Sequence, residues 1–343
     1  MRTLALLLIL VAPVAGGDAP GGTVIALNKR AASASIIDRA TGKEVARIPT
    51  GTGPHEVAVT PDGKQAVVCN YGAGRTLSVI DIAAKKVVRT IDLGVAARPH
   101  GIQFLPGGTR MAVTAESRRA LFVVDFKSGK VVATVPTEQA VSHMVAVAPD
   151  GKRAYVANIG SGSLSVLDLE NGKLQKIVPT GAGAEGVAVR PGTGEIWVSN
   201  RAANTVSVID PKELKVVATL KAVGFPIRVY FTPKGEHALV SCAFAGEVWV
   251  FDAAQRSLVK KIALHDKKRE DKGNMFRRRG PLPIGMCMPA DGKHVFVACG
   301  GYDEVAVLDT KQWTVVGRHP TGREPDGLAW TPVTPAPPPA AEK

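Results

Sequence analysis

The sequence predicts an all-β chain folded as a seven-bladed β-propeller of four-stranded antiparallel blades, the last blade closed by both termini. Three observations carry this. A strand ending in Asp recurs seven times, at 35–38, 78–81, 122–125, 165–168, 207–210, 249–252 and 306–309, with the Asp residues 43, 44, 43, 42, 42 and 57 apart. Each copy is flanked by the same neighbours, so one unit reads as strand A (HEVAVT), strand B (QAVVCN), strand C (LSVID) and strand D (KVVRTI). Four short strands per repeat of about 40–45 residues is the propeller pattern. The ends are out of phase: strands B, C and D come first (Thr23–Asn28, Ser33–Asp38, Glu44–Ile48) and a lone strand A comes last (Asp326–Thr331). Both termini then complete one blade and remove the open sheet edge.

The chain opens with Arg2, an apolar run from Leu4 to Val14 and then small residues, the pattern of a signal peptide over residues 1–19. The run is too short to span a membrane comfortably, so an exported protein, periplasmic or extracellular, is expected. Residues 20–332 form a single propeller domain. Its A strands are expected at 55–60, 100–105, 143–148, 185–190, 227–232, 284–289 and 326–331. Period-2 alternation and tight turns such as Pro61-Asp62-Gly63-Lys64 support antiparallel pairing within each unit. The one long spacing holds a basic insertion, residues 265–281 (HDKKREDKGNMFRRRGP), in a D–A link. A Pro/Ala-rich tail, 333–343, has nothing to bury and is expected to be disordered.

Composition narrows little more. Aromatics are 5%, Gly and Pro are frequent, and the formal charge is +13, which suits an anionic partner or simple solubility. Four cysteines (Cys69, Cys242, Cys287, Cys299) include no CxxC pair, leaving disulfides or free buried thiols open. A nucleophile elbow, P-loop, HExxH, dinucleotide fingerprint and CxxCH haem site are all missing.

The blade resembles the YVTN-type repeat of YncE-like bacterial exported propellers, on AYVAN (154–158), IWVSN (196–200), NTVSVID (204–210) and TPDGK (60–64). The resemblance covers nearly the whole chain after the leader. It implies a monomeric, non-enzymatic binding or scaffold protein for an anionic ligand, a partner protein or single-stranded nucleic acid. A second likeness, of PHGIQF (99–104) and PHEVAVTPDGK (54–64) to lactonase-like propellers, implies a hydrolase instead. A periplasmic accessory to redox or metal enzymes is the third reading.

Chain direction places the start of every A strand around one mouth of the central channel. The residues there are His55, His100, His143, Glu185, Ile227, Ile284 and Asp326, with Arg228 one position on. Three histidines in consecutive blades are candidate ligands for a divalent metal, and with Glu185 a candidate acid–base or binding site. Copying of one structural His between blades is the plain alternative. Lys267, Lys268, Arg269, Arg277, Arg278 and Arg279 of the insertion are candidate contacts for carboxylate or phosphate, or a solvated charge run. The B-strand ends (Asn28, Asn70, Asn158, Asn200) and the seven C-strand Asp residues read as loop and turn caps. Met286 and Met288 read as packing residues pointing opposite to Cys287.

Overall fold

The computed structural model describes residues 21–72, 74–95, 97–266 and 280–335. Among the described residues, twenty-eight strands form seven four-stranded antiparallel sheets, and one 3-10 turn (Glu116–Arg118) stands beside them. The inner strands are Pro54–Val59, Pro99–Phe104, Ser142–Val147, Ala184–Val189, Pro226–Phe231, Pro283–Cys287 and Pro325–Thr331. Five of the seven begin on proline, one residue before the expected start. At the first position of a strand the missing N–H costs no ladder bond.

Why the B strands read as continuous apolar runs is clear from the packing. In Gln65–Asn70, Val67 and Cys69 join Met111, Val113 and Phe122 of the following blade, while Ala66 and Val68 join Ile25, Leu27 and Ile36 of the preceding one. A strand buried on both faces has no polar face to alternate with. The outer strand Lys86–Asp92 does alternate, with every second residue exposed.

The ring closes as expected. Strand Thr23–Asn28 pairs antiparallel with Pro325–Thr331, with Ile25 opposite Ala329 and Val24 opposite Trp330. Past the last strand, the hydroxyl of Thr23 donates to the Val333 carbonyl at 2.6 Å, and Val333 packs on the core. The expected leader, the six basic residues of the insertion and the last residues of the tail lie outside the described residues. Among the described residues no helix is long and apolar enough to cross a membrane.

The bland readings of the repeated polar residues hold. Asp168 Oδ1 accepts from the amides of Glu170 and Asn171, and Asp210 Oδ1 from those of Lys212 and Glu213. Asn70 and Asn200 each donate Nδ2 to two hydroxyls of the adjoining C strand. All four cysteines are buried. Met286 and Met288 share one cluster while Cys287 faces another.

Candidate functional site

Each inner strand slips register against its B strand just after its first residue, between Pro99 and Ile102 or Ala184 and Val187, for example. Such a bulge turns one side chain out of the normal alternation. In three blades a hydroxyl on the B strand bridges the gap. Thr114 accepts from the Gly101 amide and donates to the His143 carbonyl of the next blade, at 2.8 and 2.7 Å. Ser199 does the same for Gly186 and Ile227, and Ser241 for Arg228 and Ile284. The neighbouring strand lies so close that a Cβ on Gly101 would stand 2.8 Å from the His143 carbonyl, and Gly186, Gly285 and Gly327 are similarly confined. Glycine there is a packing requirement. The same bulge aims the second residue of the strand into the channel.

The seven strand openers therefore meet. His55, His100, His143, Glu185, Ile227, Ile284 and Asp326 line one pocket of about 330 Å³, joined by Arg228. Its walls also include Lys29, Tyr71, Glu116 and Arg201, each directly after a B strand, and Arg98. The B-strand ends expected as loop caps, Asn28, Asn70 and Asn200, stand one residue before this second tier. The repeat spacing that located the strand openers runs through it as well.

A continuous ion network fills the polar side. His143 Nδ1 sits 3.0 Å from Glu116 Oε2, and its Nε2 3.6 Å from Glu185 Oε1. Arg98 Nη1 and the Tyr71 hydroxyl both donate to Glu116, at 2.8 and 3.1 Å. Arg201 Nη1 donates to Glu185 at 2.7 Å. Lys29 Nζ holds Asp326 at 2.8 Å. Arg228 reaches Glu185 at 3.2 Å through Nη1 and, right across the ring, Glu56 at 2.5 Å through Nη2.

The protonation states follow from these partners. Burial opposes charge on His143, but its N–H groups face the accepting carboxylates of Glu116 and Glu185, which outweigh burial and raise its pKa. Burial would raise Glu185, yet His143, Arg228 and Arg201 hold it at about 2. Asp326 likewise sits at about 2 despite burial, through Lys29, His55 and Arg228. Burial pushes His55 down to about 4, against the pull of Asp326. His100 falls well below the usual imidazole range, through burial first and then the charge of His143. It stacks on His143 with ring centroids 3.4 Å apart. Burial leaves Glu56 above the ordinary carboxylate value, even beside Arg228.

The three histidines expected as metal ligands are engaged with protein groups as follows. Both ring nitrogens of His143 face carboxylates, and His55 Nδ1 donates to the Gly53 carbonyl at 2.8 Å. Among the described residues no group of three or more His, Cys, Asp or Glu is placed to hold a metal ion. The opposite side of the mouth is apolar. Ile227, Ala243, Leu282 and Ile284 cluster under the stacked rings of Phe225 and Phe244.

Comparison with known proteins agrees with the fold. The YNCE-like beta-propeller family model matches residues 12–110 and 109–271. No curated protein sequence matches the chain. A solved structure titled Kuenenia stuttgartiensis hydrazine synthase is similar over 80% of this chain and 88% of its own, at 20% identity and a TM-score of 0.69. A functionally unknown protein from Desulfotomaculum acetoxidans is similar over 90% of this chain and 98% of its own, at 16% identity and a TM-score of 0.74. At these identities both likenesses concern the fold alone.

Proposed function

The chain belongs to the YNCE-like β-propeller family, and on that premise we propose that it is a binding protein whose polar mouth holds a small anionic ligand. One observation carries the reading: four fixed cations (Lys29, Arg98, Arg201, Arg228) stand against four carboxylates (Glu56, Glu116, Glu185, Asp326), with His143 as a further cation. The cluster is one positive charge in excess when His143 is protonated. A small anion completes the balance.

The rim suits this task better than chemistry. The side chains of Arg98 and Arg201 are 47% and 28% exposed, and each shares one Nη with a wall carboxylate. Their remaining donors suit an incoming carboxylate or phosphate. Arg98 lies over the Tyr71 ring at 4.3 Å, which fixes its plane. A general base needs a free lone pair at the pocket surface. His143 has none and His100 is buried beneath it, which leaves His55 Nε2, 3.9 Å from Asp326, as the histidine lone pair facing the pocket. The density of rim cations favours binding over a hydrolase.

The test is calorimetric titration with succinate, citrate and inorganic phosphate at low salt. At least one should bind saturably, and Arg98→Ala or Arg201→Ala should weaken it about tenfold or more, the worth of a charge-assisted hydrogen bond. Unchanged affinity in both variants, or no binding by any of the three anions, would overturn the reading.

A further inference from the structure

Immediately before each inner strand the backbone turns left-handed. The residue at that position has φ between +47° and +75° in all seven blades. Two blades place glycine there, Gly53 and Gly183, which adopts this conformation at no steric cost. The other five carry a larger side chain, whose Cβ then crowds the following carbonyl oxygen. Four of the five use that side chain within the protein. Arg98 holds Glu116 and lies over Tyr71, Glu324 pairs with Arg30, Phe225 stacks on Phe244, and Leu282 is buried in the apolar cluster of the mouth.

The fifth is Val141. It is β-branched, which makes its φ of +58° a true outlier, and at 36% it is the most exposed apolar side chain of the set. It lines the mouth pocket. Backbone strain that sets an apolar side chain on a pocket wall, rather than in the core, points to a contact with a ligand. Ile159, whose amide donates to the Val141 carbonyl at 3.0 Å, is half-buried and lines the same pocket. It stands directly after its B strand, where four other blades place Lys29, Tyr71, Glu116 and Arg201. This blade therefore turns two apolar side chains to the mouth. The blade before it carries Arg98 and the blade after it Arg201, the two arginines of the rim.

We propose that the ligand of this mouth is an amphipathic monocarboxylate, its acid group on Arg98 or Arg201 and its short aliphatic body against Val141 and Ile159, an inference that rests on the mouth being an anion site. One negative charge matches the one positive charge in excess when His143 is protonated. A pocket of about 330 Å³ has room for a body of a few carbons. A small polar anion would leave the Val141–Ile159 surface uncovered.

Ligand-observed NMR titration at low salt with acetate, butyrate and hexanoate reads the body separately from the acid group. A fully buried methylene is worth about fourfold in affinity, so hexanoate, partly covered by two side chains, should bind about tenfold or more tighter than acetate. Val141→Asn keeps a residue that tolerates left-handed backbone and removes the apolar surface. It should cut the hexanoate-to-acetate ratio about threefold or more. Ile159→Ser should act likewise, and the ratio is scored in whichever variant keeps a cooperative melt. Equal, saturable affinities along the series, or a ratio unchanged in the folded variants, would overturn the amphipathic ligand and leave the anion site standing. Hexan-1-ol has the same body without the charge and should bind about tenfold or more weaker than hexanoate. Equal binding of the alcohol would overturn the anion site together with this proposal. Failure of all three acids to saturate would overturn the proposal, with the anion site then judged by succinate, citrate and phosphate.

Discussion

Glu185 and Ile227 open the inner strands of adjacent blades on nearly the same bulged backbone, each with its blade's B-strand serine bracing the next strand. One feeds an ion network reaching from Lys29 to Arg201. The other belongs to an apolar patch with Ile284 and Leu282. The two arcs of the mouth share a scaffold and differ only in the side chains placed on it. The register slip recurs in every blade, with the hydroxyl staple in three of them and a confined glycine in four. The residues that the bulge aims inward are free to vary, and chemistry resides there.

The sharpest way to break that contrast is at Arg228, where the charged arc crosses the channel. Arg228→Met leaves Glu56 and Glu185 without their shared cation and should cost about 3–5 kcal/mol, the toll of orphaning a buried charge. Adding Glu56→Gln should recover a good part of it. Chemical denaturation decides: a loss under about 1 kcal/mol would mean the network is not cohesive. On the apolar arc, Ile284→Ala should cost about 2–4 kcal/mol through cavity formation. That cost should be the same at every pH where the protein is folded, and a clear pH dependence would show that the arcs are coupled.

The smallest effect concerns protons. Folding lowers the pKa of His55 to about 4 and that of His100 as well. The unfolded chain therefore takes up protons first as pH falls from about 6.5, and stability drops through that window. His143 acts oppositely: its pKa is raised, so its contribution is complete below about 6.5 and is lost as pH climbs through the folded value. Replacing His55 with Gln should lessen the loss at about pH 5 by up to about 2 kcal/mol. Parallel unfolding curves for the two proteins across that range would refute the buried neutral imidazole.

Most of the fold was legible, because strand spacing and terminal phase are linear properties of the chain. The seven strand openers were legible for the same reason, as repeat position converts directly into place around the ring. The second tier was readable in principle but needed the geometry of the bulge to show that Tyr71 and Glu116, rather than the capping Asn70 and the small Ala115, face the channel. Two features have no linear signal. Glu56 meets Arg228 only because the ring brings opposite blades together. The orientation of the His143 ring is the other, set by Glu116 and Glu185, which face its two nitrogens.

Ring closure has a consequence for how the chain comes to act. The ion pair Lys29–Asp326 joins a residue near the start of the propeller to one near its end. Closing so long a loop adds little free energy, since the cost grows only with the logarithm of length. In time it is demanding, because contacts so distant in sequence form late. A chain shortened before Pro325 keeps six complete sheets and lacks both the inner strand of the seventh and the carboxylate beside His55. The mouth is thereby a record of completed synthesis: until the last strand arrives, the anion site has no finished wall.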